Sequence, residues 1–143
     1  MKIKLALIAL VTVLFVSCNS TKTAVDGIEG RTWKLKTLEG KDMTNLKLEK
    51  DVFFMLNKEE SRVNGFSGCN NMMGTYTLEE GNRIKFSQMG STMMACPDAT
   101  FNERDFLEVF ELADNYTITG NELSINVGRR APLAVFEAVD VKE

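Results

Sequence analysis

Histidine is absent from this 143-residue sequence. A Ser-His-Asp or Cys-His relay, and most zinc sites, depend on an imidazole, so those classes are largely excluded. Cys-x-x-Cys spacing is absent too, and no cationic cluster stands near Cys69 or Cys96 to activate a thiol. Basic residues do not predominate: 17 Lys and Arg face 20 Asp and Glu, and short basic elements such as Arg129-Arg130 are isolated. Nucleic-acid binding therefore has little electrostatic support. No internal repeat is visible, and a composition of 44% hydrophobic and 26% charged residues fits one ordinary globular domain.

The apolar run from Leu5 to Val16 carries no charge. As a helix it covers only ~18 Å, against the roughly 30 Å of a bilayer core. Lys2 and Lys4 precede it, and Ser17-Cys18 come after it, which gives the basic, apolar and small-residue order of a signal peptide. Phe15-Val16-Ser17-Cys18 resembles a lipobox, so residues 1–17 are expected to be removed and Cys18 lipidated. Two or more acyl chains, at ~0.8 kcal/mol per buried CH₂, anchor far more firmly than one. Plain secretion without lipid is the alternative. Loss of residues 1–17 removes two basic residues and no acid, moving the net charge from −3 to −5.

Three cysteines are awkward in a secreted chain unless one is otherwise used. With Cys18 assigned to lipid, Cys69 and Cys96 remain as an even pair. They either join, closing a loop worth roughly 3–4 kcal/mol in the chain-entropy model, or stay as two separate buried thiols.

Residues 18–30 are polar with few large apolar side chains and read as a flexible tether, with the domain spanning 31–143. Thr32 to Leu38 alternates and predicts a strand closed by Gly40; Val52 to Leu56 and Arg62 to Phe66 are two more. Gly68-Cys69-Asn70-Asn71, between Gly65 and Gly74, suits a turn. Gly74 to Leu78 and Arg83 to Phe86 flank a four-residue hairpin loop, and Gln88 to Met94 is expected to run extended past the core. Tyr116 to Thr119 and Glu122 to Val127 flank Gly120-Asn121, a two-residue hairpin signal, and Leu133 to Val139 supplies the last strand.

One helix is predicted, from Ala99 to about Ala113. Thr100 and Glu103 have capping-box spacing, and Phe106, Leu107, Phe110 and Ala113 recur at helical steps. Short strands around one amphipathic helix indicate an α+β domain: a curved, mostly antiparallel sheet or a partly open β-barrel.

Three segments carry a family likeness: Arg31-Thr-Trp33-Lys-Leu; Gly65-Phe-Ser-Gly68-Cys69-Asn70-Asn-Met-Met-Gly74-Thr-Tyr76; and Ser91-Thr92-Met-Met94-Ala95-Cys96. Over about Arg31 to Phe136 the chain resembles the META domain family, that of the HslJ-like heat-shock lipoproteins. Glu103 and Phe106 sit where that family's helix carries its acidic and aromatic positions. The resemblance implies an open barrel-like α+β fold, an envelope location, links to stress tolerance, secretion or motility, and no established reaction.

Asp98, Glu103 and Asp105 could form paired carboxylates for glycoside hydrolysis or calcium, but acids at a helix start are explained more simply by capping and the helix dipole. Met72, Met73, Met89, Met93 and Met94 cluster around the two cysteines. They could bind copper(I), line an adaptable apolar surface or fill the core, and filling is the commonest use. Trp33 and the Phe residues could stack on a ligand, but one Trp beside Leu35 at strand spacing reads as core.

The sequence thus leads to the expectation of a non-enzymatic, monomeric lipoprotein without cofactor or metal. Its lipid holds it to a membrane, on the outer membrane facing the periplasm, where it binds an envelope protein in stress response or secretion. The alternative is a barrel that holds a small apolar ligand.

Overall fold

The computed structural model describes residues 27–96 and 101–139. Nine strands and one helix occur in the order β1 (Thr32–Leu38), β2 (Lys41–Asp42), β3 (Phe53–Asn57), β4 (Arg62–Phe66), β5 (Asn71–Glu79), β6 (Arg83–Ser91), α1 (Glu103–Leu112), β7 (Asn115–Thr119), β8 (Glu122–Asn126) and β9 (Ala134–Val139). All pairings are antiparallel, and from β3 to β9 each strand lies beside the next in sequence. β1 pairs with β3 on one side and along its length with β9 on the other, so the sheet returns on itself as a ring. The fold is therefore α+β, with a mostly antiparallel, ring-like sheet and one helix.

Alternation explains which side chains enter. Trp33 and Leu35 of β1, Phe54 and Leu56 of β3, Val63 of β4 and Leu123 and Ile125 of β8 point into the ring and are buried. Ring closure is thinnest between β6 and β7, where Arg83 and Asn115 form the one registered pair. Helix α1 packs against β6 beside this seam. It turns Phe106, Val109 and Phe110 inward.

Phenylalanines from β3, β6, α1 and β9 fill the middle. Phe54, Phe86 and Phe106 each meet Phe110 edge to face, with centroids 5.3, 4.9 and 5.3 Å apart, and Phe54 meets Phe136 at 4.8 Å. Edge-to-face contact places the positive ring edge on the negative face. Phe110 is the hub that joins helix and sheet.

Several expectations need correction. The domain begins before Arg31: Ile28 is fully buried and its carbonyl accepts the Trp33 indole N–H at 2.8 Å, while the Gly30 N–H reaches the Leu56 carbonyl at 3.2 Å. Residues 27–30 thus belong to the fold, not to the tether, because burying the indole demands a partner for its N–H. The rest of the tether, Cys18 and the signal segment lie outside the described residues. The helix starts at Glu103, later than Ala99, because Asn102 takes the cap and accepts the Arg104 N–H at 3.2 Å. Thr100 lies outside the described residues. β5 and β6 are longer than predicted, nine residues each, so Gln88 to Ser91 belongs to the sheet rather than running past it. A bulge there, with Gln88 at φ 52°, accommodates the extra residue. β2 carried no sequence signal.

Phe110→Ala is expected to lower stability by about 3–5 kcal/mol, since the cavity opens where several rings meet. Urea unfolding should show a lower midpoint at an unchanged slope.

Candidate functional site

The turn between β4 and β5 is built from residues too small to block a close approach. Gly68 has φ +100°, and a Cβ there would lie 2.7 Å from the Phe101 ring, so glycine is required on both counts. The turn closes through Ser67, whose N–H reaches the Asn70 carbonyl at 2.8 Å. Its buried hydroxyl lies at 2.8 Å from the same carbonyl and in contact with the Glu103 carboxylate.

Asn70 sits at the centre of a polar clasp. Its backbone N–H donates to Glu103 Oε1 at 3.0 Å, and its side-chain Nδ2 donates to Oε2 at 2.8 Å. A single carboxylate is thereby held by two donors of one residue. On the other side, Asn70 Oδ1 accepts the Thr92 hydroxyl at 2.9 Å and the Met94 N–H at 2.7 Å. The remaining Nδ2 hydrogen faces Cys96 Sγ at 3.8 Å. An amide has two donor hydrogens and two acceptor positions, and all four are used here. Thr92 Oγ1 also accepts the Asn71 N–H at 3.1 Å, and Cys69 and Cys96 are joined by a disulfide with Cα atoms 6.2 Å apart.

The clasp ties three pieces of chain together: the β4–β5 turn, the segment leaving β6, and the first residue of α1. Among the described residues the Glu103 carboxylate bonds the turn, while Thr100, its partner in the capping-box spacing, lies outside them. Glu103 stands at the helix start, where the dipole favours a negative charge, and spends its oxygens on the turn. Of the acids expected at the helix start, Asp98 lies outside the described residues and Asp105 is in the first turn.

Tyr76 and Gly74 are placed on β5, away from the clasp. Tyr76 is buried, and its hydroxyl donates to Glu29 Oε1 at 2.5 Å and lies 3.3 Å from the Asn57 carbonyl. Burial first, then Glu29, pushes the phenol well above its ordinary range. Gly74 leaves room for Met89, whose sulfur lies 2.5 Å from where a Cβ would be. Trp33 is core, at the opposite side of β1 from the surface.

The methionines divide. Met72 is in the core at 1% exposure and Met89 packs against it, but Met73 is 49%, Met94 58% and Met93 98% exposed. Core filling therefore accounts for part of the cluster only. Strand alternation explains the neighbours Met72 and Met73, one in and one out. Met93, Met94 and Ala95 are exposed because the clasp holds their backbone and leaves their side chains outside.

Sequence reasoning missed Ser67, Phe101 and Glu29. Ser67 stands in the quoted motif directly before Gly68 and is a plain turn signal. Phe101 and Glu29 owe their roles to long-range contacts with Gly68 and Tyr76 that no local pattern announces.

Chemically, the clasp is saturated. Its carboxylate, amide and hydroxyls bond one another, and its sulfurs are paired. Among the described residues no group of three His, Cys, Asp or Glu is placed to hold a metal, and no helix is long and apolar enough to cross a membrane. The ring interior that an apolar ligand would need is occupied by Phe54, Phe106, Phe110 and Phe136. A hollow of about 540 Å³ lies instead beside the turn after β3, bordered by Glu29, Arg31, Lys58 and Glu59.

The META domain model matches residues 26–140, a span that includes both halves of the clasp. The chain belongs to the META domain family. Solved structures share the fold. A protein from Burkholderia xenovorans, solved by NMR, is 21% identical with a TM-score of 0.60, covering 78% of this chain and 83% of its own. A second NMR structure is 18% identical at 0.60, covering 78% and 92%. The crystal structure of a DUF4847 family protein from Bacteroides vulgatus is 12% identical at 0.50, covering 78% and 94%. No curated protein matches the chain. At these identities the likeness is one of fold.

Asn70→Ala leaves the Glu103 carboxylate and the Met94 N–H short of partners. At about 1–3 kcal/mol for each such group, denaturant unfolding should show a loss of about 2–6 kcal/mol. An unchanged midpoint would remove Asn70 as the organiser of this META domain.

The raised Tyr76 pKa has a definite sign. Folding favours the protonated phenol, so its contribution is complete below the ordinary phenol pKa of about 10 and is lost as pH rises through and above it. Thermal melts between about pH 8 and about pH 11 should show declining stability, and Tyr76→Phe should shrink that decline. Tyr116, raised by burial and then by the Glu29 charge, and Lys36, raised by its hydrogen bond to Glu122, contribute to the remainder.

Proposed function

We propose that this META domain is a non-enzymatic binding module of the cell envelope, held to the outer membrane on its periplasmic side by lipid on Cys18. There it would act by binding another protein in stress response or secretion. The observation that carries the binding part is the exposure of Met93 and Met94 beside a clasp whose polar groups are all spent internally. A rigid frame presents unbranched, polarizable side chains that adapt to differing partners. Support for the anchor is the lipobox-like Phe15-Val16-Ser17-Cys18 after a short apolar run. Saturation of the clasp leaves no free nucleophile or base at the motif, which favours binding over chemistry.

The test is capture from envelope extract with three forms: wild type, Cys18→Ala, and Met93→Ser with Met94→Ser. Wild type should enrich a defined partner, and the double methionine variant should retain on the order of tenfold less, the equivalent of ~1.4 kcal/mol. Mass spectrometry of the mature protein should find acyl chains on Cys18 that Cys18→Ala lacks. No enriched partner with any form would overturn the binding part, and an unmodified Cys18 would overturn the anchor.

A further inference from the structure

The described residues carry six large hydrophobic side chains exposed to solvent, and three are methionines: Met73, Met93 and Met94. All three belong to the strand ends joined at the clasp. Met73 stands on β5 opposite Gly90 of β6, a neighbour with no side chain to cover it, and Met93 and Met94 follow β6 after Thr92. Exposure decides how fast a thioether meets a dissolved oxidant, because the sulfur lone pair needs direct contact and no prior ionisation.

We propose that Met73, Met93 and Met94 form an oxidant-modification site, taking up oxygen from hydroperoxides or hypochlorous acid while the fold beneath stays intact. With hydrogen peroxide, a sulfur lone pair attacks one peroxide oxygen, an S–O bond forms, the O–O bond breaks, and water leaves after proton transfer. Sulfur is oxidised by two electrons and the peroxide is reduced. Each event converts an apolar thioether into a polar sulfoxide.

Two features separate this site from incidental damage. The first is insulation of the fold. Met94 serves the clasp through its backbone N–H, bonded to Asn70 Oδ1, and the segment is held again by Thr92 and the Cys69–Cys96 disulfide. Its side chain contributes none of these bonds. The second is an internal contrast: Met72, adjacent to Met73, is 1% exposed and lies in the core, where a sulfoxide would disrupt packing. Modification of the outer three is thus separable from loss of structure, and it can be reversed by a sulfoxide reductase. On the partner-binding reading above, which this consequence alone depends on, the same chemistry would make the contact surface polar.

The experiment treats the full chain with dilute hydrogen peroxide, tracks each methionine by peptide mapping, and records the thermal midpoint at every time point. Met73, Met93 and Met94 should be oxidised on the order of tenfold faster than Met72. The midpoint should hold until Met72 reacts, and methionine sulfoxide reductase should return the three to thioethers. A triple Met→Leu variant at these positions keeps the surface apolar and should lose the rapid phase. Equal rates for Met72, or unfolding on modification of the outer three, would overturn the proposal. Neither readout involves a partner, so failure of the capture experiment leaves this test standing, and the reverse.

Discussion

A carboxylate held by both the backbone and the side chain of a single asparagine fixes the relation between helix and sheet in this protein. Glu103 opens α1, Asn70 ends the β4–β5 turn, and their three-way contact with Ser67 sets where the helix begins. Everything inward of that point is a matter of geometry. Once the first turn is placed, helical spacing directs Phe106 and Phe110 into the ring, where Phe54, Phe86 and Phe136 meet them. A largely buried polar contact thereby aligns the apolar core. The arrangement also explains why Asn70 is buried: each of its polar side-chain atoms has a partner, so removing it from water incurs little penalty.

Much of the fold was legible because period and punctuation are local. β1 was bounded correctly from alternation, β4 as a run too short for a helix, the Gly120-Asn121 hairpin from its turn chemistry, and the turn at Gly68 to Asn70 from small and amide side chains. What escaped was decided at a distance. The helix starts at Glu103 because Asn102 takes the cap, and Glu103 is drawn to a partner 33 positions away. β2 is two residues long and owes its pairing to the tail of β1 rather than to its own pattern. Ile28 looked like tether because one apolar residue among polar ones carries no period, yet it receives the Trp33 N–H.

The motif residues were legible as a group but not as a mechanism. Gly68, Cys69, Asn70, Thr92, Met94, Cys96 and Glu103 do come together, whereas Trp33, Gly74 and Tyr76 serve the core and the sheet. The methionines showed the limit of composition most clearly. Adjacent Met72 and Met73 are chemically identical and lie on opposite sides of the sheet, a distinction that register alone determines.

Pairing of β1 with β9 has a temporal meaning as well as a spatial one. β9 leaves the ribosome after the other strands of the ring, so β1 must wait, with one hydrogen-bonding edge unsatisfied, until the rest of the sheet has been made. Such a topology delays cooperative closure and keeps an early strand open to wrong partners or to a chaperone. Loss of β9 would therefore leave an edge unpaired not only on β8, its neighbour in sequence, but also on β1 at the opposite end of the chain.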